Sequence, residues 1–415
     1  MNQLINNIII LHKKNMFTEA LSEINKFEKN NNLDPILLNL KGITYLLLND
    51  FDNALKHFNE AIEIISKLKN NNNALIASIY NNKGLVNIKL AKNDDAIKDF
   101  KEAIQIKPDF TEGYNNLGIV FQNMGEKYES LKYFIEANNL DQNYIPAINN
   151  LINSLPLFEN IEYENNNIVN ANKKLKKLSF KYDPLTKINE EDIRNIFEKS
   201  NKIINEHFNK INYKPTQTFR RGNRNLNCDR HMKIFNENNI IPKYCFSCYK
   251  ILIEPNNIVD LIKLHILFDN LNLKKNNIRK CMIEKRKNIS GRYKGFIYCE
   301  TLDEAKLILD EISSILEINI DKNIKYKIKR GCSEYVESYP DYKNLSENIM
   351  TYNNKWVNKE DLSDKKYPFL KNDLKNKKTV SGNSLQDILI IKNWLVFAKT
   401  CGDQSYKNIS DECFQ

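Results

Sequence analysis

Small and aromatic positions return at a fixed interval over about the first 155 residues of the chain. Ala20 to Ala54, Gly84 to Gly118 and Phe100 to Phe134 are each 34 residues apart. Tyr80-Asn-Asn-Lys-Gly84 recurs as Tyr114-Asn-Asn-Leu-Gly118 and as Ile148-Asn-Asn-Leu-Ile152. A small residue, an aromatic four on and an Ala three further also recur, as Ala54/Phe58/Ala61, Ala96/Phe100/Ala103 and Ser130/Phe134/Ala137. A fixed period of this kind predicts stacked helix pairs, because one pair alone cannot bury its apolar face. Gly42, Gly84 and Gly118 would let one helix approach its partner, and Phe58, Phe100 and Phe134 would fill the space between helices. Gly42 to Gly84 is 42 residues, eight too many, with the excess around Ser66-Lys-Leu-Lys-Asn-Asn-Asn-Asn73. Residues 156–180, after Pro156, read as a closing helix.

The pattern then changes. Ile193, Ile196, Phe197, Ile203, Ile204 and Phe208 predict a bridging helix over residues 189–210. Tyr249 to Glu254 reads as a short strand and Ile258 to Leu271 as a strongly apolar helix. Ile278 to Glu284 and Tyr293 to Glu300 alternate with a period of two, with Ile297 and Cys299 opposite Phe296 and Tyr298. Thr301-Leu-Asp-Glu304 is a capping box opening a helix with Ala305, Ile308, Leu309, Ile312 and Leu316 on one side. Ile324 to Lys329 alternates again. The order β-α-β-β-α-β is ferredoxin-like. Ser384 to Lys399 predicts a helix with a broad apolar surface, and Trp356 and Tyr367-Pro-Phe-Leu370 are expected anchors of a wrapping segment.

On its 34-residue frame the N-terminal part, about residues 4–155, resembles the tetratricopeptide repeat family. Ile8 stands where that frame expects Gly, as terminal repeats are often atypical. The resemblance implies an α-solenoid with a concave groove for a peptide or protein, lined by the first helix of each pair. Asn39, Asn81, Asn82, Asn115, Asn116, Asn149 and Asn150 would lie there. Such an asparagine ladder, known in some members, would pair with the backbone of an extended peptide. The expected domains are residues 1–180, a solenoid with closing helix; 181–225, a bridging helix and basic linker; 226–335, a metal knuckle with a ferredoxin-like α/β domain; and 336–415, a wrapping segment and helix.

Composition sharpens the division. Apolar residues make 41% and charged residues 27% of the chain, the globular range. The net charge is +10, yet residues 1–175 carry 18 Lys, no Arg and 21 acids, a net of −3. The remainder carries 44 basic residues against 31 acids, a net of +13, with all nine Arg and all eight Cys. No stretch approaches the roughly 18 to 20 apolar residues of a spanning helix. The start has no basic region or cleavage site of a secretory signal, so a cytoplasmic protein with reduced thiols is expected. Cysteines in such a setting read first as metal ligands, core fillers or nucleophiles.

The sharpest chemical pattern is Cys228-x2-His231, thirteen intervening residues, then Cys245-x2-Cys248. Two ligand pairs at this spacing predict a closed tetrahedral structural Zn²⁺ site. A redox role for Cys245 and Cys248 is weaker, because the pair precedes a strand rather than opening a helix. Arg220, Arg221, Arg224 and Arg230 flank the pattern and would contact an anionic partner. Cys332, after Gly331 at a strand end, is a weak catalytic candidate; a turn residue packing against the knuckle is the favoured reading. His12 and His57 are expected at the surface, and His265, Cys281 and Cys299 in the core. Lys294-Gly-Phe-Ile-Tyr298 is similar to the central-strand motif of RNA-recognition domains, which would make Phe296 and Tyr298 base-stacking residues. Ile297 departs from the small residue usual there.

Three functions follow. The leading one is a non-enzymatic adaptor: a repeat groove for a protein partner joined to a basic, zinc-stabilised domain. The second is a transferase or thiol enzyme with its site in residues 220–335. The third is an RNA-binding protein using Phe296 and Tyr298.

Overall fold

The computed structural model describes residues 1–29, 34–67, 72–163, 165–178, 186–208, 211–220, 222, 226–286, 289–346, 348–370 and 382–410. Among them no helix is long and apolar enough to cross a membrane. The chain forms two compact units, residues 1–150 with 366–371, and residues 151–365 with 372–415.

The first unit is a run of antiparallel helix pairs. Helices α1 (Asn2–Lys13) and α2 (Phe17–Glu28) form the first pair, α3 (Pro35–Leu47) and α4 (Phe51–Lys67) the second. Helices α5 (Asn73–Lys89) and α6 (Asn93–Ile106), then α7 (Thr111–Met124) and α8 (Lys127–Leu140), follow, with α9 (Ile145–Ser154) behind them. Asp34 caps α3 by accepting from the N–H groups of Ile36 and Leu37 at 2.8 and 3.2 Å, with Pro35 in the first turn. The eight extra residues are taken up partly by length: α4 and α5 each have 17 residues, where α6, α7 and α8 have 14.

In the second, third and fourth pairs a glycine of the first helix meets a phenylalanine of the second. A Cβ built on Gly42, Gly84 or Gly118 would collide with the ring of Phe58, Phe100 or Phe134. All three rings are fully buried. The turn between the two helices repeats as well. Asn15, Asn49, Ala91 and Gly125 hold left-handed φ values of 58°, 61°, 58° and 84°, each just beyond a first helix. Gly and Asn tolerate this conformation, whereas Ala91 adopts it at a cost of about 1 kcal/mol. The histidines expected at the surface are packed instead. His57 is 9% exposed, stacked 5.4 Å from Tyr45, and His12 Nε2 lies 2.8 Å from Thr44 Oγ1. The turn Pro368–Leu370 rests against α5, and Tyr367 beside it is buried.

The second unit is built on a five-stranded antiparallel sheet. Its strands are β1 (Gln217–Arg220), β2 (Tyr249–Glu254), β3 (Arg279–Ile283), β4 (Tyr293–Cys299) and β5 (Lys325–Arg330), in the order β1-β3-β4-β2-β5. Strands β2 to β5, with α13 and α14 below, follow the expected β-α-β-β-α-β order; β1 is an added edge strand that the sequence pattern did not announce. The remaining helices are α10 (Asn167–Lys176), α11 (Glu190–His207), α12 (Cys228–Asn238), α13 (Ile258–Asn270), α14 (Leu302–Asn319), α15 (Val357–Lys366) and α16 (Leu385–Thr400). Compactness divides the chain near residue 150, and α10 packs with α11 and α16.

Helices α13 and α14 pack with β2, β3 and β4. Tyr249, Ile251, Ile253, Cys281, Ile283, Ile297 and Cys299, at alternating positions, are buried. Thr301 caps α14 through the Glu304 N–H at 3.1 Å, but the Glu304 carboxylate turns to the Glu300 N–H at 2.7 Å, so the predicted box closes one residue early. The complete capping box is at Ser384 and Asp387, opening α16. Trp394 of α16 is fully buried and donates from Nε1 to the Thr216 carbonyl at 2.8 Å.

The glycine–phenylalanine contact predicts that Gly84→Ala lowers stability by about 1–3 kcal/mol through overpacking, with partial recovery in Gly84→Ala/Phe100→Leu. Ala91→Gly is expected to raise stability by up to about 1 kcal/mol by relieving the left-handed alanine. Urea unfolding of the three variants, followed by far-ultraviolet circular dichroism, tests both.

Candidate functional site

Two places gather the residues singled out in the sequence. In the first unit, the doubled asparagines of successive first helices bond to one another. Asn82 Nδ2 donates to Asn39 Oδ1 at 2.9 Å, Asn116 Nδ2 to Asn81 Oδ1 at 2.7 Å, and Asn150 Nδ2 to Asn115 Oδ1 at 2.8 Å. The links run from α3 to α5, α5 to α7 and α7 to α9, so one row of amides joins four helices. Asn39, Asn81 and Asn115 are 7, 8 and 3% exposed. Each link uses one N–H and one lone pair of the two amides, and an amide has two N–H groups and two carbonyl lone pairs. Asn149 is outside this row; its Oδ1 is buried without a partner.

In the second unit, Cys228, His231, Cys245, Cys248 and Cys332 line one small cavity, together with Lys250, Tyr244 and Tyr335. Its free volume is about 10 Å³, the space of about one water-sized sphere. The first pair is not a turn, as the predicted knuckle would need. Cys228 opens α12 and His231 lies one helical turn on. Cys245 sits in the short 3-10 turn Lys243–Ser247, and Cys248 leads directly into β2. Cys332 arrives from the other end of the chain. Tyr249 pairs with Arg330, and the Gly331 N–H donates to the Cys248 carbonyl at 2.7 Å, so the ends of two adjacent strands bring Cys248 and Cys332 together. Gly331 holds φ at +50°, and a Cβ there would strike the Tyr342 hydroxyl.

The chemistry of this cavity is that of four thiols around one cation: Cys245 and Cys248 are buried, Cys332 is half-buried and Cys228 reaches the surface. Cys245 Sγ lies 3.3 Å from Tyr335 Oη, and Lys250 Nζ donates to Cys332 Sγ at 3.4 Å while standing 5.1 Å over the Tyr298 ring. Burial pushes the Cys228 thiol up to about 11, and negative charge at Cys332 adds to the rise. Burial also raises Cys245. Burial lowers His231 to about 4, helped by the Arg230 guanidinium, so its ring is neutral. For Lys250, burial favours loss of the proton, but negative charge at Tyr298, Cys332, Cys248 and Cys228 outweighs it and raises the ammonium. Among the described residues no three His, Cys, Asp or Glu side chains are placed to grip an ion as they stand, and a zinc knuckle is not seen.

The basic residues expected to meet an anionic partner are occupied internally. Arg220 Nε bonds Asp269 Oδ1 at 2.6 Å and Nη1 bonds Asp387 Oδ1 at 3.1 Å. Arg230 pairs with Asp364 at 2.6 Å and Glu360 at 3.2 Å, and Lys294 with Glu284 at 3.3 Å. Arg221 and Arg224 lie outside the described residues, as does Cys413. Tyr298 is 7% exposed beneath Lys250, and Phe296 is half-buried beside it. The paired base-stacking surface expected of these two rings is therefore covered at Tyr298. Lys250 and Tyr335 were not found from the sequence. Lys250 had one available signal: it lies two residues after Cys248 at the start of a strand, which turns both side chains the same way.

His265, expected in the core, is 3% exposed. Its Nε2 lies 3.4 Å from Arg220 Nη2, which can only donate, so Nε2 accepts and Nδ1–H donates to Thr218 Oγ1 at 3.2 Å.

The tetratricopeptide repeat family matches this chain twice, over residues 34–109 and over residues 111–144. No curated protein sequence matches the chain. Similar solved structures include the Cut9-Hcn1 hetero-tetramer of the APC/C, 19% identical over 37% of this chain and 29% of that one, with a TM-score of 0.34. PilF of Pseudomonas aeruginosa is 17% identical over 37% of this chain and 67% of its own, with a TM-score of 0.32. The first repeat domain of Spaghetti (RPAP3), bound to the HSP90 peptide SRMEEVD, is 20% identical over 29% of this chain and 89% of its own, with a TM-score of 0.26.

Burial and the Arg220 guanidinium depress the His265 imidazole to about 4. An unfolded chain takes up this proton near pH 6.5, so the folded state loses stability as pH falls from about 6.5 towards 4, by an amount on the order of 3 kcal/mol. Acid titration of the urea midpoint should show a shallower slope in His265→Phe than in the unaltered chain. An identical slope would mean that this group is not the one titrating.

Proposed function

We propose that this chain, which carries tetratricopeptide repeats over residues 34–109 and 111–144, is an adaptor whose repeats hold an extended peptide segment of a protein partner along the row of asparagine amides. The observation that carries this reading is the row itself, from Asn39 through Asn82 and Asn81 through Asn116 to Asn115 and Asn150. Amides fixed in register by their neighbours meet a peptide backbone with little ordering cost, and preorganisation of this kind strengthens binding. Backbone pairing reads no side chain, so selectivity is left to the residues around the row.

The same reading gives the second unit a structural role. A single Zn²⁺ held at Cys228, His231, Cys245 and Cys248 would tie α12, the turn at residues 243–247 and β2 together, and its binding would be coupled to folding of this unit. The internal ion pairing of Arg220, Arg230 and Lys294 favours this structural role over nucleic-acid binding.

Pull-down from a cell lysate with the full chain and with an Asn82→Ala/Asn116→Ala/Asn150→Ala variant tests the groove. Each lost amide bond is worth about 1 kcal/mol, so partner affinity is expected to fall by tens-fold or more while helical content persists. Equal partner capture by a folded triple variant would remove the asparagine row from the binding site.

A further inference from the structure

We infer that Cys332 completes a four-thiolate site for one soft divalent ion with Cys228, Cys245 and Cys248, and that the Lys250 ammonium is the counter-charge of that thiolate shell. This rests on the metal proposed above and changes its ligand set. Lys250 is the observation that points to it. Its residue is 8% exposed and its Nζ faces the cavity, bonded to Cys332 Sγ at 3.4 Å. Among the described residues no carboxylate pairs with it. Three other buried cations of this unit have one: Arg220 has Asp269 and Asp387, Lys263 has Glu190 at 2.7 Å, and Lys294 has Glu284. Two more, Arg279 and Arg330, donate to carbonyl oxygens instead, of Asn277, Phe268 and Leu271 and of Phe246 and Met350, whereas among the described residues Lys250 has only sulfur and an aromatic ring. An ammonium taken out of water without a counter-charge costs several kcal/mol. A neutral thiol is a weak acceptor, and an aromatic face returns only about 1–2 kcal/mol. Four thiolates around a divalent cation carry a net double negative charge, which supplies what the site otherwise lacks.

Geometry selects the ligand set and the ion. The strand pairing of Tyr249 with Arg330 and the Gly331–Cys248 hydrogen bond fix Cys332 at the same corner as Cys248. His231 is instead stacked against Tyr244, with ring centroids 5.3 Å apart and planes 23° from parallel, and we read it as a wall of the cavity. The free volume of about 10 Å³ is the space of about one water-sized sphere, which matches a single ion. Binding requires the thiols to turn inward from their present positions. Soft sulfur ligands in a tetrahedral set favour Zn²⁺.

The test uses the full chain, with Zn²⁺ and then Co²⁺ as probes. The unaltered protein and His231→Gln should each bind one equivalent of Zn²⁺. Cys332→Ser should bind it roughly 100-fold more weakly, and Lys250→Met roughly 10-fold more weakly. The Co²⁺ form should show the sulfur-to-cobalt absorption of four thiolates. Unchanged Zn²⁺ affinity in Cys332→Ser with loss in His231→Gln would overturn the Cys332 assignment and leave the earlier ligand set standing. A Co²⁺ spectrum of three sulfurs and one nitrogen would overturn it even where Cys332→Ser does not fold. No uptake of either ion by the unaltered protein would remove both readings, while leaving the asparagine groove untouched.

Discussion

The press of one aromatic ring on one glycine sets the geometry of the repeat half. Phe58, Phe100 and Phe134 occupy the space where Gly42, Gly84 and Gly118 would otherwise carry a side chain, so the same close contact joins the two helices of the second, third and fourth pairs. Because that contact recurs, the first helices also recur in register. Side-chain amides three bonds long can then meet their counterparts one repeat away, at 2.7 to 2.9 Å. A single pair with a different separation would break the row. The asparagines are thus downstream of the packing: they read out a spacing that apolar contacts have already fixed.

In the second unit the governing constraint is charge rather than volume. A surplus of basic residues suggested an outward-facing anionic partner, but the arginines closest to the sheet are turned inward. Arg220 is gripped by two aspartates from distant segments, Asp269 and Asp387. Arg230 draws Glu360 and Asp364 of α15 onto α12. Such pairs bring little net stability beyond a well-packed apolar alternative, yet breaking one is costly. They act here as fasteners between chain segments more than a hundred residues apart. Arg279 and Arg330 are held by carbonyl oxygens instead, and Lys250 faces sulfur.

The legibility of the sequence follows the range of the interactions. The repeats were plain because period, glycine and aromatic positions are local and occur several times. The order β-α-β-β-α-β was readable from alternation in β2 to β5, whereas β1, only four residues long and bordered by arginines, left no apolar signature. The approach of Cys228, His231, Cys245 and Cys248 was visible in their spacing. Cys332 was expected to pack against them as a turn residue at a strand end, and the pairing of β2 with β5 across about eighty residues is what brings it there. The occupancy of Arg220 and Arg230 was hidden because their partners lie 134 to 167 residues away in the chain for Asp364 and Asp387. His12 and His57 were misplaced because helix periodicity gives a face but not which neighbour will cover it.

The hydrogen bond between Gly331 and Cys248 has a consequence for biosynthesis. The thiol cavity has no complete wall until β5 has emerged and paired with β2, and Tyr335 and Tyr342 close it from still further along. A chain emerging from the ribosome therefore exposes Cys228, Cys245 and Cys248 for the whole interval in which about ninety more residues are added, on the order of 5–20 s at common elongation rates. Over that interval these thiols are open to stray oxidants and stray metals. The late cysteine acts as a seal, and the order of synthesis decides when the site becomes selective.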